Sequence, residues 1–137
     1  MEIILALDIG LKRTGIARSD ALGILIKALK TIETDNIIQE LDNIKQDYVL
    51  SKIVIGLPIN AEGQAQNTEL MIRAKAQEIQ NKFPEFNIIF ENEACSSKEA
   101  ETRLKSRNIQ LNKDNKGLID AEAAAVILEQ YFSSSLK

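Results

Sequence analysis

The chain has 137 residues, of which 45% are hydrophobic and 27% charged, which fits one globular domain with a single core. Histidine is absent. Its absence excludes Ser-His-Asp and Cys-His catalysis, histidine-pair ribonuclease chemistry and zinc sites ligated by imidazole. The formal net charge is −3, so binding to nucleic acid would require a local basic patch. Carboxylates, lysine or a bound metal must carry any chemistry.

The sequence gives no signal for membrane insertion or secretion. No segment approaches the ~20 consecutive apolar residues of a membrane helix. The chain starts Met1-Glu2, and the apolar run of residues 3–7 ends at Asp8, which is too short for the core of a secretory signal. Cys95 is the only cysteine and cannot form an internal disulfide. We therefore expect a cytoplasmic protein.

The first third of the chain predicts three strands joined by short turns. Ile3–Asp8 is almost continuously apolar, which is typical of a strand buried on both faces. Gly10–Gly15 predicts a turn and Gly15–Ser19 the returning strand, and a third strand is expected within Gly23–Ile32. Such short connections favour an antiparallel meander.

The pattern then changes to helices that alternate with strands. Apolar residues spaced along one face predict a helix over 35–49, and a second such stripe predicts a helix that ends at Pro84. Buried strands are expected at Lys52–Gly56 and Asn87–Phe90. Strands reached through helical crossovers lie parallel to one another.

Two further helices complete the prediction. The tetrad Ser96-Ser97-Lys98-Glu99 matches a capping box and predicts a helix start. The last helix is expected to follow Asp120 and to cover Ala121–Phe132. The fold class is therefore α/β, a five-stranded mixed sheet of three antiparallel and then parallel strands flanked by helices, in one domain over residues 1–137.

Three carboxylates stand where predicted elements end or begin. Asp8 ends the first strand, Glu93 follows the fifth strand, and Asp120 precedes the last helix. Taken singly, each has a structural interpretation: Asp8 as a turn residue, Glu93 as a solvated loop acid, and Asp120 as a helix N-cap. Together they come from three distant segments that should meet at one edge of the sheet, and converging carboxylates are the usual ligands of Mg²⁺.

Basic residues accompany two of these acids. Lys12 and Arg13 occupy the first turn, next to Asp8, and a basic run leads into Asp120. That run holds five basic side chains against one acid: Arg103, Lys105, Arg107, Lys113 and Lys116 against Asp114. These residues fit a clamp on a nucleic-acid backbone, although a solvated turn and a solvated loop explain them as well.

Three segments, taken in order, resemble the bacterial YqgF/RuvX family of Holliday-junction-resolvase-like pre-16S rRNA nucleases. They are Leu7–Asp20 (LDIGLKRTGIARSD), Ile53–Pro58 (IVIGLP) and Lys116–Asp120 (KGLID), the last followed by Ala123-Ala124 and Ile127–Tyr131. The resemblance covers essentially the whole chain. It implies an RNase H-like fold with a five-stranded mixed sheet and a nuclease that matures the 5′ end of 16S rRNA.

The resemblance also implies a set of site residues. Asp8, Glu93 and Asp120 would be the catalytic acids and would bind Mg²⁺ or Mn²⁺, as two ions. Lys12, Arg13 and Lys116 would hold the nucleic-acid backbone. The expected partner is precursor 16S rRNA or branched DNA, with no membrane, and the oligomeric state is left open between monomer and homodimer.

One motif departs from the family pattern. Where the family usually has Asp-Glu-Arg-Leu-Thr-Thr, the chain has Asn92-Glu93-Ala94-Cys95-Ser96-Ser97. Loss of the arginine removes a bidentate phosphate ligand. Two alternatives to rRNA processing therefore remain: a Holliday junction resolvase-like DNA endonuclease, and a nucleic-acid-binding protein that keeps the fold without turnover. An actin-like ATPase also opens with Asp-x-Gly, but it requires two such domains.

Overall fold

The computed structural model describes residues 2–58, 63–92 and 116–135. The elements in chain order are β1 (Glu2–Ile9), β2 (Arg13–Asp20), β3 (Ile26–Glu33), a short 3-10 helix (Thr34–Asn36), α1 (Ile37–Asp47), β4 (Val49–Leu57), α2 (Gln64–Lys82), β5 (Asn87–Asn92) and α3 (Lys116–Ser135). The predicted strand at 87–90 is thus two residues longer than expected. The helix start predicted at Ser96–Glu99 lies outside the described residues.

The five strands form one mixed sheet in the order β3-β2-β1-β4-β5. β1 pairs antiparallel with β2, and β2 pairs antiparallel with β3. β1 pairs parallel with β4, and β4 pairs parallel with β5. The antiparallel meander and the parallel crossovers expected from the sequence are therefore confirmed, and β1 lies at the centre of the sheet.

Each face of the sheet packs against different helices. On one face, large residues of β1 and β4, among them Leu5 and Ile53, pack against Leu41 of α1 and Ile79 of α2. On the other face, the small side chains Ala6 and Ala17 pack against α3, which contributes residues 124, 125, 127 and 128. Because the side chains of Ala6 and Ala17 are small, the backbone of α3 lies close to β1 and β2.

The prediction that the last helix follows Asp120 is wrong. α3 begins at Lys116, so Asp120 is the fifth helical residue and does not cap the helix. Nothing between these two positions stops a helix, because Gly117 only lowers the local helix propensity. The N-cap preference of aspartate is a local signal, and here the longer helix overrides it.

None of the helices in the described part of the chain is long and apolar enough to cross a membrane.

Candidate functional site

Asp8 lies at the carboxyl end of the central strand on the face that packs against α3. Side chains alternate along a strand, so Asp8 shares its face with Ile4 and Ala6, both of which belong to the core beneath α3. Asp8 is partly buried and is paired across the sheet with Gly15 of β2. The carboxylate therefore lies at the edge of the sheet that faces the start of α3.

Gly15 brings Asp120 to the same place. A side chain at Gly15 would overlap the backbone carbonyl of Asp120 and would lie 2.8 Å from the backbone nitrogen of Ala121. Only a residue without a Cβ permits this close approach of α3 to β2. Gly15 thus pairs with Asp8 on the neighbouring strand and contacts the backbone of Asp120 on the α3 face of the sheet. This arrangement brings two of the three predicted acids to the same edge of the sheet.

Arg13 adds a positive charge to this pair of acids. Its Nε lies 3.1 Å from Oδ2 of Asp120, with 46% of the Arg13 side chain and 25% of the Asp120 side chain exposed. Both residues line an open cleft of about 720 Å³. The remaining lining residues are Gly10, Leu11, Lys12, Glu33 and Asp35. The predicted basic turn therefore opens onto the same cleft as Asp120.

Thr34, which the sequence analysis did not identify as a site residue, stabilises this turn through hydrogen bonds. Its hydroxyl donates to the Gly10 carbonyl at 2.7 Å, and its backbone N–H donates to the Lys12 carbonyl at 2.9 Å. The buried Thr14 hydroxyl lies 2.9 Å from that of Thr34 and must donate, because the Thr34 proton is already directed to Gly10. The turn itself is closed by a 2.8 Å bond from Gly10 N to Arg13 O. No local motif marks Thr34, since its partners lie 20 or more residues away.

Glu91 lies beyond the predicted end of the fifth strand at Phe90, but the structure includes it in that strand. It is a residue of β5 and pairs with Gly56 of β4. Alternation from Phe90, which packs on the α1/α2 face, puts Glu91 on the α3 face of the sheet. It lies two strands from Asp8, or about 10 Å at the usual strand spacing. The sequence signal that could have placed Glu91 is its two-residue spacing from Ile89, which continues the alternation of the strand.

Other predicted site residues lie outside the described part of the chain. Glu93, Ala94 and the basic residues of 103–115 belong to this group. Lys116 is the first residue of α3, but its side chain also lies outside the described part. Within the described residues, no group of three potential metal ligands occurs.

The residues present fit part of a divalent-cation site. Asp8 and Asp120 offer carboxylate oxygens, the ligand type that Mg²⁺ and Mn²⁺ prefer, next to a glycine that lets the backbone of Asp120 approach the cross-strand partner of Asp8. Lys12 and Arg13 line the adjoining cleft, where cationic side chains attract phosphate. An anionic substrate and a cation can thus meet at this edge of the sheet.

The sheet order, the helix that covers β1 and β2, and the neighbouring acids Asp8 of β1 and Asp120 of α3 define an RNase H-like domain of the resolvase and nuclease type. The chain belongs to the RuvX family, described as Holliday junction resolvase, whose sequence pattern matches residues 2–134. The family resemblance seen in the sequence is confirmed.

Relatives and a solved structure agree with this membership. A protein of Flavobacterium johnsoniae named "Putative pre-16S rRNA nuclease" is 35% identical over 135 residues, covering 98% of both chains. A relative of the same name from Sulfurihydrogenibium sp. is 36% identical over 134 residues, covering 96% of this chain and 90% of its own. Thermus thermophilus RuvC, solved in complex with a Holliday junction substrate, matches with a TM-score of 0.58 at 10% identity, covering 99% of this chain and 96% of RuvC. The RuvC match supports the fold alone, whereas the curated relatives are named nucleases, which are hydrolases acting on ester bonds.

Proposed function

We propose that this protein is a metal-dependent nuclease that hydrolyses phosphodiester bonds in precursor 16S rRNA. The observation that carries the proposal is that Asp8 and Asp120 flank Gly15 at one edge of the sheet, beside a cleft lined by Lys12 and Arg13. Membership of a family whose curated relatives are named for pre-16S rRNA supports the substrate. On this proposal the enzyme works on the 5′ end of the precursor, in the cytoplasm.

Each residue has a defined part in this proposal. Asp8, Asp120 and Glu93 would hold Mg²⁺ or Mn²⁺, as two ions. Bound divalent ions of this kind activate the attacking water and stabilise the leaving oxygen. Lys12, Arg13 and Lys116 would orient the nucleic-acid backbone by contacts with its phosphates. Thr34 would hold the backbone of the turn that carries Lys12 and Arg13 through its hydrogen bonds to Gly10 and Lys12.

A cleavage assay tests the proposal. Precursor 16S rRNA is incubated with the protein and Mg²⁺ or Mn²⁺, and the products are compared for the wild type, Asp8→Asn and Asp120→Asn. Asp42→Asn is the matched control, because Asp42 is an exposed carboxylate on α1, which packs on the opposite face of the sheet. Loss of cleavage in the two site variants and not in the control is expected. Equal activity in all four proteins would refute the proposal.

A second candidate is a DNA endonuclease acting on branched junctions, which the description of the RuvX family favours. The same proteins assayed on a four-way DNA junction distinguish the two candidates. Faster cleavage of the junction than of precursor rRNA would assign the site to DNA. Binding without cleavage of either would favour a non-catalytic protein, in keeping with the sequence departures at Asn92 and Ala94.

A further inference from the structure

Arg13 contacts one of the acids that the proposed reaction needs for its metal. Its Nε lies 3.1 Å from Oδ2 of Asp120, and both side chains are partly exposed in the cleft. We propose that Arg13 is an exchangeable counter-ion. It neutralises Asp120 while no divalent ion is bound, and it moves to a substrate phosphate when a divalent ion binds to Asp120. This inference rests on the proposed function and adds a coupling between the metal and the nucleic acid.

The electrostatics of the cleft supply the first part of the argument. Asp8 and Asp120 lie on either side of Gly15, so two negative charges share a small region of the sheet edge. Neighbouring like charges repel one another, and the Arg13 guanidinium, 3.1 Å from Asp120, offsets the repulsion. A divalent cation offsets it too and seeks the same carboxylate oxygens. Arg13 and the cation therefore compete for Asp120.

The geometry of the turn supplies the second part. Arg13 is the first residue of β2, and Thr34 bonds to Gly10 and Lys12 within the turn that precedes it. The backbone at Arg13 is thus held in place, and only the long side chain has to move from Asp120 to a phosphate bound in the same cleft. The contact with Asp120 uses Nε, and a guanidinium carries further donors on its two terminal nitrogens. The planar guanidinium of arginine can donate to two oxygens of one phosphate, whereas the ammonium group of lysine acts as a point charge.

Lys12 provides the comparison that isolates the effect. It lies next to Arg13 in the same turn and lines the same cleft. Among the ion pairs between described residues, Asp120 is paired with Arg13 and not with Lys12. Removing either residue takes one positive charge from the cleft, so their long-range electrostatic effects should be similar. Only removal of Arg13 should change what Asp120 contacts.

The first experiment needs neither metal nor cleavage. Asp120→Asn imitates the neutralisation of this acid, and the affinity for a short fluorescent RNA duplex is measured by anisotropy in EDTA. We expect Asp120→Asn to tighten RNA binding about two- to fivefold in the wild-type and Lys12→Gln backgrounds, the scale of a partly exposed ion pair. In the Arg13→Gln background the gain should be clearly smaller, because only the general effect of losing one negative charge remains. Equal gains in all three backgrounds would show a simple charge effect and overturn the inference. The inference would also be overturned if none of the proteins bound the duplex.

The second experiment measures Mn²⁺ affinity by calorimetry. Arg13→Gln should bind Mn²⁺ about two- to fivefold more tightly than Lys12→Gln does, because it removes the competitor for Asp120. Equal affinities would overturn the exchange and leave the proposed nuclease intact. A wild type that neither binds Mn²⁺ nor cleaves RNA with it would refute the proposed function itself. Circular dichroism of each variant verifies that the fold is kept.

Discussion

Gly15 of β2 lies against the backbone carbonyl of Asp120 in α3, so closely that no side chain fits between them. Because Gly15 is also the cross-strand partner of Asp8, this single contact brings the start of α3 to the end of the central strand. Gly15 therefore contributes to the candidate site because it has no side chain, and a substitution of Gly15 can be tested separately from substitutions of the acids.

Gly15→Ala should destabilise the protein and weaken its response to metal. The added methyl group meets the backbone of Asp120 and Ala121, which cannot move without shifting α3, and overpacking of this kind costs about 1–3 kcal/mol. We expect a lower melting temperature and a smaller stabilisation by Mn²⁺, both measured by thermal melts. The control is Gly23→Ala, in the turn after β2, where the new methyl meets the ring of Phe132 in α3 and a φ of +75° adds backbone strain. A control that loses its metal response as fully as Gly15→Ala would contradict the assignment of the site.

Asp8→Asn should show whether Asp8 is a metal ligand or a turn residue. Removal of one of two neighbouring negative charges should slightly raise the melting temperature of the metal-free protein. The same change should abolish the stabilisation that millimolar Mn²⁺ gives the wild type, which reaches about 2.7 kcal/mol when the ion is at 100 times its dissociation constant. Thermal melts of both proteins, with and without Mn²⁺, provide the measurement. Equal metal-induced shifts would remove Asp8 from the site.

Thr34→Val should loosen the basic turn. The substitution keeps the shape of the side chain but removes the hydrogen bonds of its hydroxyl to Gly10 and Thr14. A buried polar group left without its partner costs about 1–3 kcal/mol, so we expect that loss in urea unfolding and weaker RNA binding. Thr14→Val breaks only the bond between the two hydroxyls and should cost less. If Thr14→Val proves the more damaging change, the turn is not held through Thr34.

Asp20 should make the stability of the β2–β3 hairpin depend on pH. The backbone N–H of Leu25, foremost, and that of Ile24 hold the pKa of this carboxyl below its usual value. A lowered pKa in the folded state means that the stabilisation is complete above the unfolded pKa and is lost as the pH falls through the folded value. Asp20→Ala should therefore melt below the wild type at neutral pH, and the gap should close in strong acid.

Asp42→Asn provides the comparison for this experiment, because Asp42 is an exposed carboxylate on α1. A gap between the wild type and Asp20→Ala that stays constant from neutral to strongly acidic pH would contradict the role of the ionised Asp20 side chain.

Much of the architecture was predictable because it is encoded locally. Apolar runs of a few residues determine a strand, and stripes at helical spacing determine a helix, so the meander, the crossovers and the position of Asp8 at the end of β1 followed from the sequence. The basic turn at Lys12 and Arg13 followed for the same reason, since it lies beside Asp8 in the chain.

Tertiary packing determined the rest. The sequence placed Asp120 before a helix, whereas α3 begins at Lys116, because N-cap preferences amount to about 1 kcal/mol and the burial of a long helix outweighs them. The contact of Gly15 with Asp120, the ion pair of Asp120 with Arg13 and the bonds of Thr34 to the turn each join residues 20 or more positions apart. No local pattern specifies such contacts, since they exist only once α3 has packed on the sheet and the 3-10 helix has closed against the first turn.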